Sequence, residues 1–373
     1  MFIFLGSVIT LWVAYSFLIF WIWKGFKSEL ALTNVTPAKT QKSVSIIIAA
    51  RNEASVIEKC ITSILKNDFH SHLFEIIIID DHSTDQTYNL AASFQTANVK
   101  VSRLPDGITG KKAAIQFGVH QAKNEIILCT DADCEVEKSW ISSHLHAYEN
   151  ENIAFCTGIV LPKYLGTILS NFQWLDFAST MTITANGIYR KQYYLANGAN
   201  MSFRKSSFLA IQGFEQNKNR ASGDDIFLVQ NLAKQFEIGF ISSPFSKVTT
   251  KSEITWQDFF IQRKRWATKA LASPDKNVMK IQGFVFFYAL FTLLMFTLMF
   301  FQFHLFGAAL AILVLGKMIT DFAFLHQVAT HFRKSEVMSS FLTSFLFYYI
   351  HILYSGWNAT FPGKYAWKNR STE

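Results

Sequence analysis

The side chains best suited to chemistry in this chain are carboxylates placed at the ends of apolar runs. Asp80, Asp81 and Asp85 follow the run EIIIID directly, where they could accept hydrogen bonds from a base or a ribose. Two adjacent carboxylates repel and a turn does not require both, so Asp80-Asp81 reads as functional. Asp85, beside Thr84, reads at least as well as a cap for the next helix. Asp131-Ala132-Asp133 ends the run EIILCTD. Hard divalent cations such as Mg²⁺ take oxygen ligands and keep several waters, so one or two carboxylates with phosphate oxygens complete a shell. A D-x-D triplet recurs by chance, and its weight depends on where it sits. Asp224 and Asp225, after Ser222-Gly223, open the helix-like stretch IFLVQNL. Carboxylates are favoured at a helix start by its dipole, and a base for a hydroxyl would also be a carboxylate. Gln262-Arg263-Lys264-Arg265-Trp266 reads on composition as a basic amphipathic segment at a membrane interface. Its sharper reading has Arg265 neutralising a leaving diphosphate and Trp266 stacking on a sugar.

These residues need a scaffold, and the pattern between positions 43 and 131 supplies one. Ser43–Ala49 is a continuous β-branched run, as expected of a strand buried on both faces. A helix is expected over Ala54–Leu65, strands over Glu75–Asp80 and Val99–Ser102, a helix over Lys111–Ala122 and a strand over Glu125–Asp131. Strands alternating with helices imply a parallel α/β sheet with right-handed crossovers, and such sheets bind ligands outside the carboxyl ends of their strands. Arg51-Asn52-Glu53, Asp80-Asp81 and Asp131-Ala132-Asp133 all fall at those ends.

The rest of the chain is apolar at its two extremes. Of 373 residues half are hydrophobic, with 37 Phe. Met1–Trp23 carries no charge and matches the roughly 20 residues that cross a bilayer. A signal peptide fits less well, because no basic start or cleavage site is evident. Lys24, Lys27, Lys39 and Lys42 place the following segment on the cytoplasmic side. Gly283–Phe301, Leu305–Leu325 and Met338–Ser355 are three further candidate spans. One span before and three after a cytoplasmic domain would put the basic tail Lys364, Lys368 and Arg370 outside. Either the last segment lies in the interface or one run does not cross. The excess of Lys and Arg over Asp and Glu, 35 against 27, follows from membrane orientation rather than from nucleic-acid binding. Cys60, Cys129, Cys134 and Cys156 form no C-x-x-C pair and no zinc spacing, and read as reduced buried thiols. There is neither an H-E-x-x-H nor a P-loop sequence.

Taken in order, SVSIIIAARNE (43–53), IIIIDDHSTDQT (76–87), GKKAAIQFG (110–118), DAD (131–133), NGANMSFRK (197–205), GDD (223–225) and QRKRW (262–266) resemble glycosyltransferase family 2 with a GT-A fold. The Q-x-x-R-W element beside membrane helices is similar to the branch holding ceramide glucosyltransferases and hyaluronan and cellulose synthases. The resemblance implies a transferase domain over 43–270, an N-terminal span over 1–23 and a membrane region over 283–360. It also implies roles for single residues. Ala50, Glu53, Asp80 and Asp81 would hold the nucleotide, with Lys111 near it or its diphosphate. Asp131 would touch the ribose or a Mg²⁺ or Mn²⁺ ion, and Asp133 would ligate that ion. Asp225 would be the general base, with Asp224 the other candidate because Gly223-Asp224-Asp225 carries Asp where Glu is more usual. Gln262, Arg265 and Trp266 would cradle the diphosphate and the acceptor end, and Gly198 and Asn200 would line the acceptor or donor-sugar site.

The implied reaction is inverting transfer of a sugar from a nucleotide-sugar donor, UDP-linked in the commoner case, to a lipid hydroxyl at the face of a bacterial cell membrane. A processive polysaccharide synthase uses the same chemistry and stays open. A non-catalytic scaffold is the third reading, against which the intact acidic residues stand. Oligomeric state is not legible.

Overall fold

A computed structural model describes residues 1–33, 41–215, 223–271, 275–360, 365–367 and 370–372. Lys39, Ser222, Lys364 and Lys368, which entered the sequence reading, lie outside the described residues. The chain forms two compact units. One holds Ser28–Lys163, Gly187–Lys251 and Lys364–Glu373; the other holds Met1–Lys27, Tyr164–Asn186 and Ser252–Gly363.

The first unit is built on a seven-stranded sheet. Its leading half runs β1 (Val44–Ala50), α2 (Ile57–Leu65), β2 (Phe74–Asp80), α3 (Thr87–Ala92), β3 (Val99–Arg103), α4 (Lys111–Gln121) and β4 (Ile126–Asp131), numbering the N-terminal helix Phe2–Thr33 as α1. β1 pairs in parallel with both β2 and β4, and β2 with β3. β1, β2 and β4 are mostly apolar because helices cover both faces; in β2 every residue is buried. Ile47, Ile77, Ile79 and Ile127 join Ile115 and Val119 of α4 in one core. Gly118 sets how closely α4 approaches, since a Cβ there would lie 2.7 Å from Cγ2 of Ile47.

After β4 come β5 (Glu135–Val136), α5 (Trp140–Ala147), β6 (Ile153–Gly158), β7 (Val160–Pro162), α6 (Ile168–Tyr189), β8 (Met201–Arg204), α7 (Lys205–Ala210), α8 (Asp224–Leu232), β9 (Glu237–Ile241) and β10 (Val248–Thr250). The full strand order is β3-β2-β1-β4-β8-β6-β9, with β5-β10-β7 as a separate small sheet. β8 runs antiparallel to both β4 and β6. Cys129 of β4 pairs with Met201, so β8 begins at the edge where β4 ends. This mixed sheet is the Rossmann-like GT-A arrangement.

The second unit is helical. It combines most of α1 and α6 with α9 (Trp256–Leu271), α10 (Lys276–Leu298), α11 (Phe303–His331) and α12 (Phe341–Thr360). Among the described residues, four segments are long and apolar enough to cross a membrane: Phe2–Leu30, Lys276–Leu298, Phe303–His331 and Ser335–Asn358. α1 packs on α10 and α11 through Val8, Tyr15, Tyr288, Met295, Ala309 and Leu313. Trp12 Nε1 donates to Thr320 Oγ1 at 3.3 Å and the Tyr15 hydroxyl to Asp321 Oδ1 at 2.6 Å. Lys317, one turn before Asp321, pairs with it among the rings of Tyr15, Phe345 and Tyr348.

Within the span 43–270, residues 164–186 and 252–270 belong to the helical unit. A buried contact joins α6 and α9 there. Arg263 NH2 lies 2.6 Å from Asp176 Oδ2, and its guanidinium sits 4.7 Å from the Phe259 ring and 4.3 Å from that of Trp266. Leu169, Phe172 and Phe259 form an apolar cluster beside it.

Candidate active site

Two strand ends carry the first acids. β1 and β2 end in register, with Ala50 opposite Asp80. The Asp81 N–H donates to Ala50 O at 2.8 Å, and Arg51 donates to Asp81 O at 2.7 Å. Asn52 and His82 both take positive φ, near 54°, and turn the two chains away from the sheet. Asp81 Oδ2 accepts from the Gly110 N–H at 3.0 Å, which ties the second strand end to the start of α4. Gly110 has φ 102°, a conformation that side chains disfavour. Asp80 is buried; its Oδ2 accepts from the Ser83 N–H at 3.2 Å, and its Oδ1 has no hydrogen-bond partner among the described residues. Asp85, one residue before the N-cap Gln86 of α3, accepts from the N–H groups of Thr87 at 2.9 Å and Ala54 at 3.2 Å. Glu53 donates its N–H to Thr87 Oγ1 at 2.7 Å.

Lys111, first residue of α4, is the centre of the arrangement. Its Nζ lies 2.6 Å from Asp131 Oδ1 and 2.9 Å from Asp224 Oδ2, joining the end of β4 to the start of α8. Burial works to lower the Lys111 pKa; the charges of Asp131 and Asp224 outweigh it and hold the ammonium well above its usual range. The family resemblance set Lys111 near the nucleotide or its diphosphate and gave no sign that it bridges two of the expected acids. Asp224 is buried, whereas Asp225 is only partly so. Asp225 Oδ1 accepts from the Ile226 N–H at 2.8 Å and Oδ2 from the Gly198 N–H at 3.2 Å. A Cβ on Gly198 would come within 2.9 Å of Lys111 Nζ and 3.1 Å of Asp224 Oδ2. Gly198 therefore lets the 197–200 turn close over the cluster.

Asp133 follows buried Ala132 and accepts from Cys134 Sγ at 3.5 Å. The Cys60 and Cys134 thiols are pushed up by burial and by Asp133 and Asp131, so they stay protonated. The donor set at the end of β4 is thus hard carboxylate oxygen, which suits Mg²⁺ or Mn²⁺ rather than Zn²⁺. Among the described residues no three His, Cys, Asp or Glu side chains converge on one point.

The remaining expected residues have partners inside the protein. Asn200 was expected to line the acceptor or donor-sugar site, yet its side chain is wholly internal and bonded to Trp140, His144 and two backbone carbonyls. In the helical unit, Gln262 donates to Glu253 Oε1 at 2.8 Å. Trp266 packs edge-on against Phe177, with ring centres 5.4 Å apart. Arg265 is half-buried, and the fully enclosed guanidinium of that motif belongs to Arg263. Its spacing gave no signal for this; Asp176, the partner that decides it, lies 87 positions earlier in the chain.

Residues 45–209 match the Glycosyl transferase family 2 domain. The YdaM protein of Bacillus subtilis (strain 168), described as a probable glycosyltransferase, is 24% identical over 79% of this chain and 74% of its own length. A β-monoglucosyldiacylglycerol synthase of Synechocystis is 23% identical over 60% of this chain, which spans 47% of that protein. A poly-β-1,6-N-acetyl-D-glucosamine synthase of Staphylococcus epidermidis also matches. The fold is shared with a Pyrobaculum calidifontis mannosyltransferase solved with GDP-Man and Mn²⁺, at TM-score 0.58 and 15% identity, covering 95% of this chain and 99% of the other. With its acids gathered at the carboxyl edge of the sheet, the chain is a glycosyltransferase that carries a Glycosyl transferase family 2 domain over residues 45–209.

Proposed function

We propose that the protein is an inverting, metal-dependent transferase that moves a sugar from a nucleotide-sugar, UDP-linked, to the hydroxyl of a membrane lipid. The observation that carries this reading is the cluster of Lys111, Asp131, Asp224 and Asp225 at one sheet edge, in a chain with four helices, among the described residues, apolar enough to anchor it in a bilayer. Asp80 and Asp81, with Ala50 and Glu53, receive the nucleotide; the unpartnered Asp80 oxygen supports a hydrogen-bonding ligand there. Asp133 and Asp131 would hold Mg²⁺ or Mn²⁺, which when bound neutralises charge on the diphosphate leaving group. The relatives that support the donor and acceptor classes are the mannosyltransferase solved with GDP-Man and Mn²⁺ and the glucosyldiacylglycerol synthase.

Asp225 is the favoured base. Asp224 is buried and committed to Lys111, so its charge is already compensated. Asp225 is the more open carboxylate, oriented by two backbone N–H groups. It takes the proton of the acceptor hydroxyl as that oxygen attacks the anomeric carbon, and the nucleoside diphosphate departs from the opposite face. Gln262, Arg265 and Trp266 remain candidates for the diphosphate and acceptor end.

The test is nucleotide release from a panel of nucleotide-sugars given to purified protein with Mn²⁺ and lipid extract, with products read by mass. Asp133→Ala should reduce turnover by at least about a hundredfold. Wild-type turnover by that variant would overturn the metal assignment, and a polymeric product would overturn the lipid acceptor.

A further inference from the structure

The buried side of the 197–200 turn is as well specified as its exposed side. Asn200 Oδ1 accepts from Trp140 Nε1 at 2.9 Å and from His144 Nε2 at 2.8 Å. Its Nδ2 donates to Ile159 O at 2.9 Å and Ser246 O at 3.3 Å. The partners fix the amide orientation, because an indole N–H can only donate and a carbonyl can only accept. His144 Nε2 must then carry the proton, leaving Nδ1 to accept from the Ser202 hydroxyl at 2.7 Å. Ser202 in turn accepts from the Tyr148 hydroxyl at 2.9 Å. All five side chains are fully buried and the donor-acceptor chain closes, so none has a bond to spare for substrate.

The network reaches the acids through the backbone. The Asn200 N–H donates to Asn197 O and the Ala199 N–H to Asn197 Oδ1, both at 3.0 Å. Asn200 O accepts from the Gly158 N–H at 2.9 Å and the Thr157 hydroxyl at 3.1 Å. Gly158 has no alternative there, since a Cβ would lie 2.5 Å from Asn200 Nδ2. Gly198, enclosed by these bonds, presents its N–H to Asp225 Oδ2.

We propose that Asn200, clamped by Trp140 and His144, is a positioning residue for the transfer step: it fixes the 197–200 turn so that the Gly198 N–H holds the Asp225 carboxylate in its working place. The inference rests on Asp225 as base. It makes the network act on turnover rather than on donor binding.

Purified full-length protein is assayed with the donor that turns over best among UDP-glucose, UDP-galactose, UDP-N-acetylglucosamine and GDP-mannose, with bacterial lipid extract. Exchange of the 197–200 amides is followed in parallel by mass spectrometry. Trp140→Phe and His144→Phe each remove one donor to Asn200 and should lower kcat about tenfold while donor KM stays within about twofold. His144→Gln, which can donate to Asn200 and accept from Ser202, should recover most of that loss. Tyr148→Phe removes a bond of the same network that does not touch Asn200, and should leave kcat and turn exchange unchanged. Faster exchange at 197–200 in Trp140→Phe but not in Tyr148→Phe supports the proposal without reference to activity. Equal effects of the two variants, or wild-type kcat in a folded Asn200→Ala protein, overturn it. An active Asp225→Asn enzyme would instead sink the base assignment, whereas an inactive one beside a fully active Asn200→Ala sinks only the positioning role.

Discussion

Replacing Lys111 by Met tests whether the link between β4 and α8 is electrostatic. The substitution keeps the length and apolar stem and deletes the ammonium. Its two partners respond differently. The Asp131 side chain is 34% exposed, so water takes over much of the lost contact, and that side of the pair is worth about 1 kcal/mol at most. The Asp224 side chain is only 7% exposed, and stripping the partner from a buried carboxylate costs about 3–5 kcal/mol. Taking the low end, because Lys111 itself is partly open to solvent, gives a loss of about 3 kcal/mol, or roughly 6–12 °C in Tm for a unit of this size. Adding Asp224→Asn removes the stranded charge, so the double variant should regain at least about 1–2 kcal/mol over Lys111→Met alone. The pH dependence has a definite sign. The folded Lys111 pKa is raised, so its contribution is whole below the unfolded lysine value near 10.5 and fades as pH rises through the higher folded value. In Lys111→Met the penalty instead shrinks on acidification, as Asp224 takes up a proton. The assay is thermal unfolding of the detergent-solubilised protein, followed by tryptophan fluorescence. A Tm within about 1 °C of wild type, or a double variant less stable than Lys111→Met, would refute the reasoning.

Burial pushes His144 down to about 4, so the neutral ring is the native form. Its contribution is present above the unfolded value of 6.5 and is lost as pH falls through 4, to a limit of about 3 kcal/mol; His144→Gln should flatten that part of the stability profile in acid melts. Gly118→Ala should cost about 1–3 kcal/mol by driving α4 against Ile47, and Ile47→Val in the same chain should recover part of it in denaturant titrations. Asp176→Asn strips the buried Arg263 charge of its contact partner, leaving only the field of Glu253, and should lower stability by about 3 kcal/mol, whereas replacing both residues by Leu should cost much less.

The first half of the sheet was legible because β1, β2 and β4 are largely apolar, β-branched runs, and they lie within a residue or two of their expected bounds. The acids at their ends followed from the parallel topology. β8 was not read, since MSFR is too short to show a period and its antiparallel pairing depends on strands some 50 to 80 residues earlier. Lys111 was placed by motif, but its double bridge needs α8, whose position no local signal gives. Asn200 shows the limit most clearly. A polar residue in a Gly-rich stretch looks the same whether it faces a ligand or fills a buried network, and only His144 and Trp140, distant in sequence, decide which. Arg263 differs from Arg265 for the same reason: α9 is helical, so residues two apart point to different sides, and Asp176 selects one of them.

The contacts of α1 also set a schedule for making the protein. Trp12, Tyr15 and Ser16 find their hydrogen-bonding partners in Thr320 and Asp321, about 300 residues later. At ribosomal rates of about 5–20 residues per second, the first helix waits roughly 15–60 s for them. During that interval its polar side chains face only lipid, water or a helper protein. α1 is thus made well before the residues that lock it in place.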